Sequence, residues 1–219
     1  MTTVYFIRHS VRMRKENIET YNTTQSRLLK EEKIILSVAG EKRAELLSKK
    51  DELKNIDVAY ASNCVRTLQT AKYLLEDQNL MVNIDERLDE RRVGKPNDDI
   101  YPDWFSKQYF EEDFKTEGGE SQKDVRNRVA ECFDEIVEKH KGKRIAIYSH
   151  GYAITFFLLR YCKLLDIHDG KLKYEYNGKI LFDKKINAPE LFKLTLDDNN
   201  EVTNIELIEF DDIPFDLGI

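Results

Sequence analysis

Cysteine, long apolar runs and excess basic charge are all scarce in this chain. The three cysteines, Cys64, Cys132 and Cys162, are odd in number, widely spaced and free of any Cys-x-x-Cys pair. That argues against a disulfide framework and a thiolate zinc site, and fits a reducing cytoplasm. The longest apolar stretch, Tyr152 to Leu159, is closed by Arg160 and is far too short to span a bilayer. No basic segment precedes the first apolar run, as an export signal would require. The expectation is therefore a cytoplasmic protein with no membrane partner. Asn22-Thr23-Thr24 matches a glycosylation sequon, which carries no meaning without export. Lys and Arg total 35 against 41 Asp and Glu, a net charge of −6. With no basic stripe carrying interleaved aromatics, this balance argues against nonspecific nucleic-acid binding. Internal repeats and low-complexity linkers are absent as well.

What is present suits one soluble globular domain. The 219 residues are 41% hydrophobic and 35% charged, enough to bury a substantial core. Thr3-Val4-Tyr5-Phe6-Ile7, Val58 to Ala61 and Ile145 to Tyr148 are short β-branched and aromatic runs that read as buried strands. Ser37 is placed to cap a helix containing Glu41, Ala44 and Leu47, weakened by Gly40. Further helices are expected from Val65 to Leu75 and from Tyr152 to Cys162, with a short β piece near Met81 to Ile84. Ser121 caps a long helix in which Val125, Val129, Cys132, Phe133, Ile136 and Val137 recur on one face. The stretch from Asp99 to Phe114 is aromatic-rich and partly helical. Strands are expected at Lys179 to Phe182, Leu191 to Leu196 and Val202 to Phe210, the last two joined by the turn Asp197-Asp198-Asn199-Asn200. The pattern predicts an α/β fold with elaborated loops. It is read as one domain over 1–219, with an insertion at about 91–117 and a C-terminal hairpin at about 190–210.

The chemistry-bearing residues fall at strand ends. Arg8-His9 follows the first strand, Ser149-His150-Gly151 follows the third, and the second leads through Ser62 to Arg66. Ligands of open α/β sheets bind at this carboxyl edge. Two imidazoles and two guanidiniums facing one crevice suit a phosphoryl group. A neutral imidazole nitrogen attacks phosphorus, guanidiniums bind the phosphoryl oxygens, and a carboxylic acid protonates the leaving oxygen. His150 is expected to donate to an equatorial oxygen, aided by amides of a helix starting near Gly151. Composition alone does not choose the acid among 41 Asp and Glu residues.

At these positions the chain resembles the histidine phosphatase superfamily, also called phosphoglycerate mutase-like. Arg8-His9, Arg66 and His150 match its pattern, and Leu36-Ser37-Val38-Ala39-Gly40 through Ala44 resembles its Leu-Ser/Thr-x-x-Gly-x-x-x-Ala helix start. Ser62-Asn63-Cys64-Val65-Arg66-Thr67-Leu68-Gln69-Thr70-Ala71 is similar to its Ser-x-x-x-Arg-x-x-Gln-Thr-Ala signature, and Gly119-Glu120-Ser121 to its Gly-Glu-Ser. Leu88-Asp89-Glu90 with Gly94 resembles the segment carrying the family's acid/base glutamate, which makes Glu90 that residue by resemblance. The matches run in family order from about Thr3 to Leu159. The resemblance implies a three-layer α/β/α fold, with a doubly wound, mostly parallel sheet and helices on both faces. It also implies a covalent phosphohistidine on His9, with neither cofactor nor metal. Two departures stand out. Ser10 replaces the glycine usual after the nucleophile, and Val11-Arg12-Met13-Arg14-Lys15 replaces the mutases' Glu-Ser-x-Trp-Asn type of run. The second favours a phosphomonoester hydrolase over a phosphoglycerate mutase-type transferase. A noncatalytic module binding phosphorylated ligands is a further alternative, against which the intact His9 and Glu90 stand.

Blander readings compete at each position. Two adjacent arginines would repel the cation of a zinc site built from His9, His150 and a carboxylate. His140 and His168 read as structural or solvated, Cys64 as a small buried filler, and Glu120 as a helix-start charge favoured by the macrodipole. Ser10, Gly151 and Arg12 join Arg8, Arg66 and His150 as candidate phosphate or substrate contacts. Arg14 and Lys15 read as solvated, while Arg91 and Arg92 either meet a second anionic group or balance nearby carboxylates. Tyr101, Trp104, Phe105, Tyr109, Phe110 and Phe114 form either a lid or packing at near-helical spacing. The expected partner is a small phosphorylated metabolite, with a phosphoprotein as the other possibility, on a monomer or homodimer.

Overall fold

The computed structural model describes residues 1–13, 31–95, 99–100 and 102–210. Arg14, Lys15, Tyr101 and the sequon lie outside the described residues. The first apolar run forms the central strand β1 (Thr2–Arg8), in which Val4 to Ile7 are wholly buried. Around it stand β2 (Val58–Ala61), β3 (Val82–Ile84), β4 (Arg144–Ser149), β8 (Glu190–Leu196) and β9 (Val202–Ile208), in the order β3-β2-β4-β1-β8-β9. The pairs β3–β2, β2–β4 and β4–β1 are parallel, while β8 and β9 add antiparallel strands at one side.

Strand alternation divides the core between two helical layers. Tyr5 and Ile7 pack with Leu47 of α1 (Val38–Ser48) and Leu74 of α2 (Val65–Asp77). Val4 and Phe6 point the other way, toward Val129 and Phe133 of α4 (Gln122–Lys139) and Phe157 of α5 (Gly151–Leu158). The three-layer α/β/α expectation holds. Among the described residues of the 91–117 segment, α3 (Trp104–Phe110) is the one helix. Ser37 caps α1 by accepting from the Gly40 amide, and Ser121 with Asp124 forms a capping box on α4.

Two elements differ from expectation. The helix after Gly151 ends at Leu158, four residues early, where the amides of Leu159, Arg160 and Tyr161 bond carbonyls three residues back instead of four. Beyond it, the expected lone strand at Lys179 is the third of an antiparallel meander: β5 (Lys163–His168), β6 (Lys171–Tyr176) and β7 (Lys179–Lys184). The meander packs Leu172, Tyr174 and Phe182 onto the layer holding α5. Tyr174 and Phe182 stack at 4.8 Å, and the Tyr174 hydroxyl donates to the Thr155 carbonyl at 3.0 Å.

Candidate active site

Strand register brings the expected residues together. Arg8 sits opposite Ser149 and Ala61 opposite Tyr148, so β1, β2 and β4 end side by side. The His9 amide continues the ladder to the Ser149 carbonyl at 3.0 Å, and the Ser62 amide bonds the Tyr148 carbonyl at 3.0 Å. The His9 and His150 rings stand 5.2 Å apart.

His9 is locked in one orientation. Its Nδ1 contacts the Ser10 carbonyl at 2.7 Å, so Nδ1 carries the hydrogen and Nε2 keeps the lone pair. Burial, then the guanidiniums of Arg66 and Arg8, hold its pKa well below the ordinary imidazole range. The ring is therefore neutral. The Ser10 amide donates to Thr70 Oγ1 at 3.0 Å.

His150 differs from expectation. Arg66 Nη2 lies 3.0 Å from its Nδ1, and a guanidinium only donates, so Nδ1 accepts and Nε2 carries the hydrogen. Nε2 then donates to Ser62 Oγ at 2.7 Å, and Ser62 lies 2.9 Å from Thr67 Oγ1. Both ring nitrogens face protein partners, so His150 aims Arg66 rather than pointing a free donor at the crevice. Its pKa is held well below the ordinary range, chiefly by burial.

The guanidiniums are anchored from behind. Arg8 Nη1 donates to the carbonyls of Ile186 and Asn187, and Arg66 Nη1 to that of Glu31. Arg43 Nε ties the same strap through the Ala188 carbonyl at 2.9 Å, and Glu190 accepts from the Asn187 amide at 2.8 Å. Among the described residues, Arg8 Nε, Arg66 Nε and Ser10 Oγ are buried with no hydrogen-bond partner. Buried donors without partners are rare in folded proteins, so three beside one histidine mark an anion site. A Cβ on Gly151 would lie 3.4 Å from Arg8 Nε, so glycine leaves that guanidinium its room. Arg12 stands at the rim, half exposed and 3.7 Å from Glu31.

Glu90 occupies the start of α5. Its carboxylate accepts from the amides of Arg91 at 2.9 Å, Ala153 at 3.2 Å and Tyr152 at 3.4 Å. The helix amides expected to meet phosphate therefore meet Glu90 instead. The loop is clamped by Arg128, whose guanidinium donates to the carbonyls of Arg87, Asp89 and Glu90. Glu120 holds Arg128 at 2.9 Å and also accepts from the Arg92 amide. Glu120 is thus a buried partner of Arg128, beyond the helix-start charge expected of it. The role of Arg128 was not visible in sequence, where it is one arginine on a charged helix face.

Other expectations resolve simply. Cys64 is buried, its thiol pushed up to about 11 by desolvation. His140 meets the Tyr60 hydroxyl at 3.0 Å, and His168 pairs with Asp166 on the surface. Tyr109 packs on Tyr152 and Phe156 and contacts Phe105, while Phe110 is exposed. Among the described residues, Cys64, Asp89 and His150 bring metal-ligating atoms within 4.8 Å of one another. They suit a cation poorly, since both His150 nitrogens are engaged and Arg66 contacts the same ring. No helix of the described residues is long and apolar enough to cross a membrane.

Sheet, helical layers and the edge carrying two imidazoles define an α/β protein of one class. Residues 4–175 match the model of the histidine phosphatase superfamily (branch 1), and the chain belongs to that family. Among curated proteins it is similar to phosphoserine phosphatase 1 of Hydrogenobacter thermophilus, 32% identical over 141 residues, 60% of this chain and 65% of that protein. It is also similar to a probable phosphoglycerate mutase, GpmB, of Yersinia enterocolitica, 29% identical over 133 residues, 56% of this chain and 61% of that one. The matches thus span less than two thirds of either relative. A mycobacterial glucosyl-3-phosphoglycerate phosphatase solved with VO3 superposes at a TM-score of 0.68 with 17% identity, covering 95% of this chain and 98% of that one. That likeness is one of fold.

Proposed function

We propose that this chain hydrolyses phosphomonoesters of small metabolites through a phosphohistidine on His9. The observation that carries the reading is the fixed, neutral imidazole of His9, whose Nδ1 is held by Ser10 while Nε2 is left as the nucleophile. Nε2 forms the bond to phosphorus, the ester P–O bond breaks, and the leaving oxygen takes a proton from Glu90. Water then attacks phosphorus, Glu90 receives its proton, and the P–N bond breaks to restore His9. Arg8, Arg66 and Ser10 direct their unpaired donors at the phosphoryl oxygens, and His150 keeps Arg66 aimed. Arg12 and Gly151 border the same site. One domain over 1–219, with an insertion at about 91–117, completes the proposal.

The test is hydrolysis of p-nitrophenyl phosphate in excess EDTA. Turnover is expected in the wild type and lost in His9→Ala. Loss in EDTA would point to a metal site and sink the phosphohistidine. A mutase reading is favoured by the name of the Yersinia relative. It predicts return of the phosphoryl group to a bound alcohol instead of release of inorganic phosphate.

A further inference from the structure

Next to Glu90 lies a buried cation that the mechanism does not use. Arg91 is only 3% exposed, comparable with His9 at 5% and Arg66 at 2%. Its Nε donates to the Glu120 backbone carbonyl at 2.8 Å, and Nη1 donates to the side-chain carbonyl of Gln108. Neither acceptor carries a charge. Nη2 is buried with no partner, and so is Nε2 of Gln108, itself wholly buried on α3. The Tyr152 hydroxyl lies beside Gln108, and the Tyr152 ring faces the Arg91 guanidinium at 6.0 Å.

A buried guanidinium with no carboxylate in ion-pair contact is expensive, because Glu90 and Glu120 repay its desolvation only from a distance. Burial accordingly pulls the Arg91 pKa below its ordinary value. The cost is placed on the leaving-group side of the site. The Arg91 amide bonds Glu90, and the Tyr109 and Tyr152 hydroxyls lie within electrostatic reach of both Glu90 and Arg8. The contact between Arg91 Nη1 and Gln108 Oε1 makes the residues that carry the two unpaired donors neighbours.

We propose that Arg91, with Gln108 beside it, is the subsite for a carboxylate on the alcohol part of the substrate. The favoured esters are then phosphorylated hydroxy acids. Two neighbouring donors, one of them charged, match the two oxygens of a carboxylate, and Gln108 Oε1 is the neutral acceptor in its place. The proposal deepens the phosphatase reading and rests on it.

The test uses the full chain and two substrate pairs that differ by the carboxylate: O-phosphoserine against O-phosphoethanolamine, and phosphoglycolate against ethyl phosphate. The wild type is expected to favour the carboxylate member of each pair by at least about 30-fold in kcat/KM. Arg91→Met is expected to bring both ratios near one. Gln108→Glu provides a second variant that keeps the cavity filled, places an internal carboxylate on Arg91 and pre-empts the substrate's. It should likewise abolish the preference while raising the melting temperature. A wild-type ratio near one, or ratios unchanged in Gln108→Glu, would overturn the subsite. Absence of p-nitrophenyl phosphate turnover in the wild type would instead overturn the parent reading.

Discussion

Arg66 is held at its front by an imidazole whose own direction is set by a serine hydroxyl. Removing that hydroxyl in Ser62→Ala leaves His150 Nε2–H and the Cys64 amide without their acceptor in a buried place, while Thr67 keeps the carbonyls of Ser62 and Cys64. A loss of about 1–3 kcal/mol is expected in denaturant unfolding. A fall in kcat/KM should accompany it, since Arg66 loses its aim. A second residue-scale expectation concerns Asp89, whose carboxyl is pushed up from 3.8 to about 6, chiefly by burial. Between those two pH values the unfolded chain has released this proton while the folded chain keeps it, so rising pH costs stability across that window. Above about pH 6 the cost is fully present. Asp89→Asn, which can still accept from the Asn63 amide, is expected to gain on the order of 1–2 kcal/mol at pH 7. Melting curves at pH 7 and pH 4 check this, because the gain should vanish at the lower value. The meeting of Arg8, His9 and His150 was legible because a residue ending a buried strand has its place fixed by the sheet. Arg66, in the first turn of α2, stood out only through the resemblance of the residues around it. Arg128 and the unpaired state of Arg91 were not legible, since partners 38 and 17 residues away leave no local pattern.

At the scale of elements, α1 depends on one missing side chain. A Cβ on Gly40 would stand 2.0 Å from the Val11 carbonyl oxygen, and that carbonyl also accepts from the Ser37 amide. Helix propensity alone would reward Gly40→Ala. Here the contact with rigid backbone decides, and a loss of about 1–3 kcal/mol is expected in thermal unfolding. The penalty for glycine in a helix, read in sequence as a weakness, is thus the cost of packing α1 against the loop after His9. Helices with caps and one apolar face, such as α4, were legible nearly to the residue. The meander was not, although its signal was present. Asp169-Gly170 and Asn177-Gly178 both adopt positive φ, as two-residue hairpin turns require. Leu172, Tyr174 and Tyr176 alternate with Lys171, Lys173 and Glu175 between them. The many charges of β5 and β7 on their outer faces hid a pattern that only the pairing reveals.

The whole molecule gathers its site from distant stretches of chain. His9, Arg66, Glu90 and His150 come from the parallel half of the sheet and its connections, while the carbonyls that hold Arg8 come from the strap between β7 and β8. Arg8 and those carbonyls are 178 and 179 residues apart. That separation sets an order of events during synthesis. Of these residues, Arg8 leaves the ribosome early, and the groups that steady it leave close to last. A nascent chain that has emerged only as far as α5 already carries His9, His150 and Glu90, yet lacks the carbonyls that hold Arg8. The framing of Arg8 is therefore finished late, when β8 pairs beside β1.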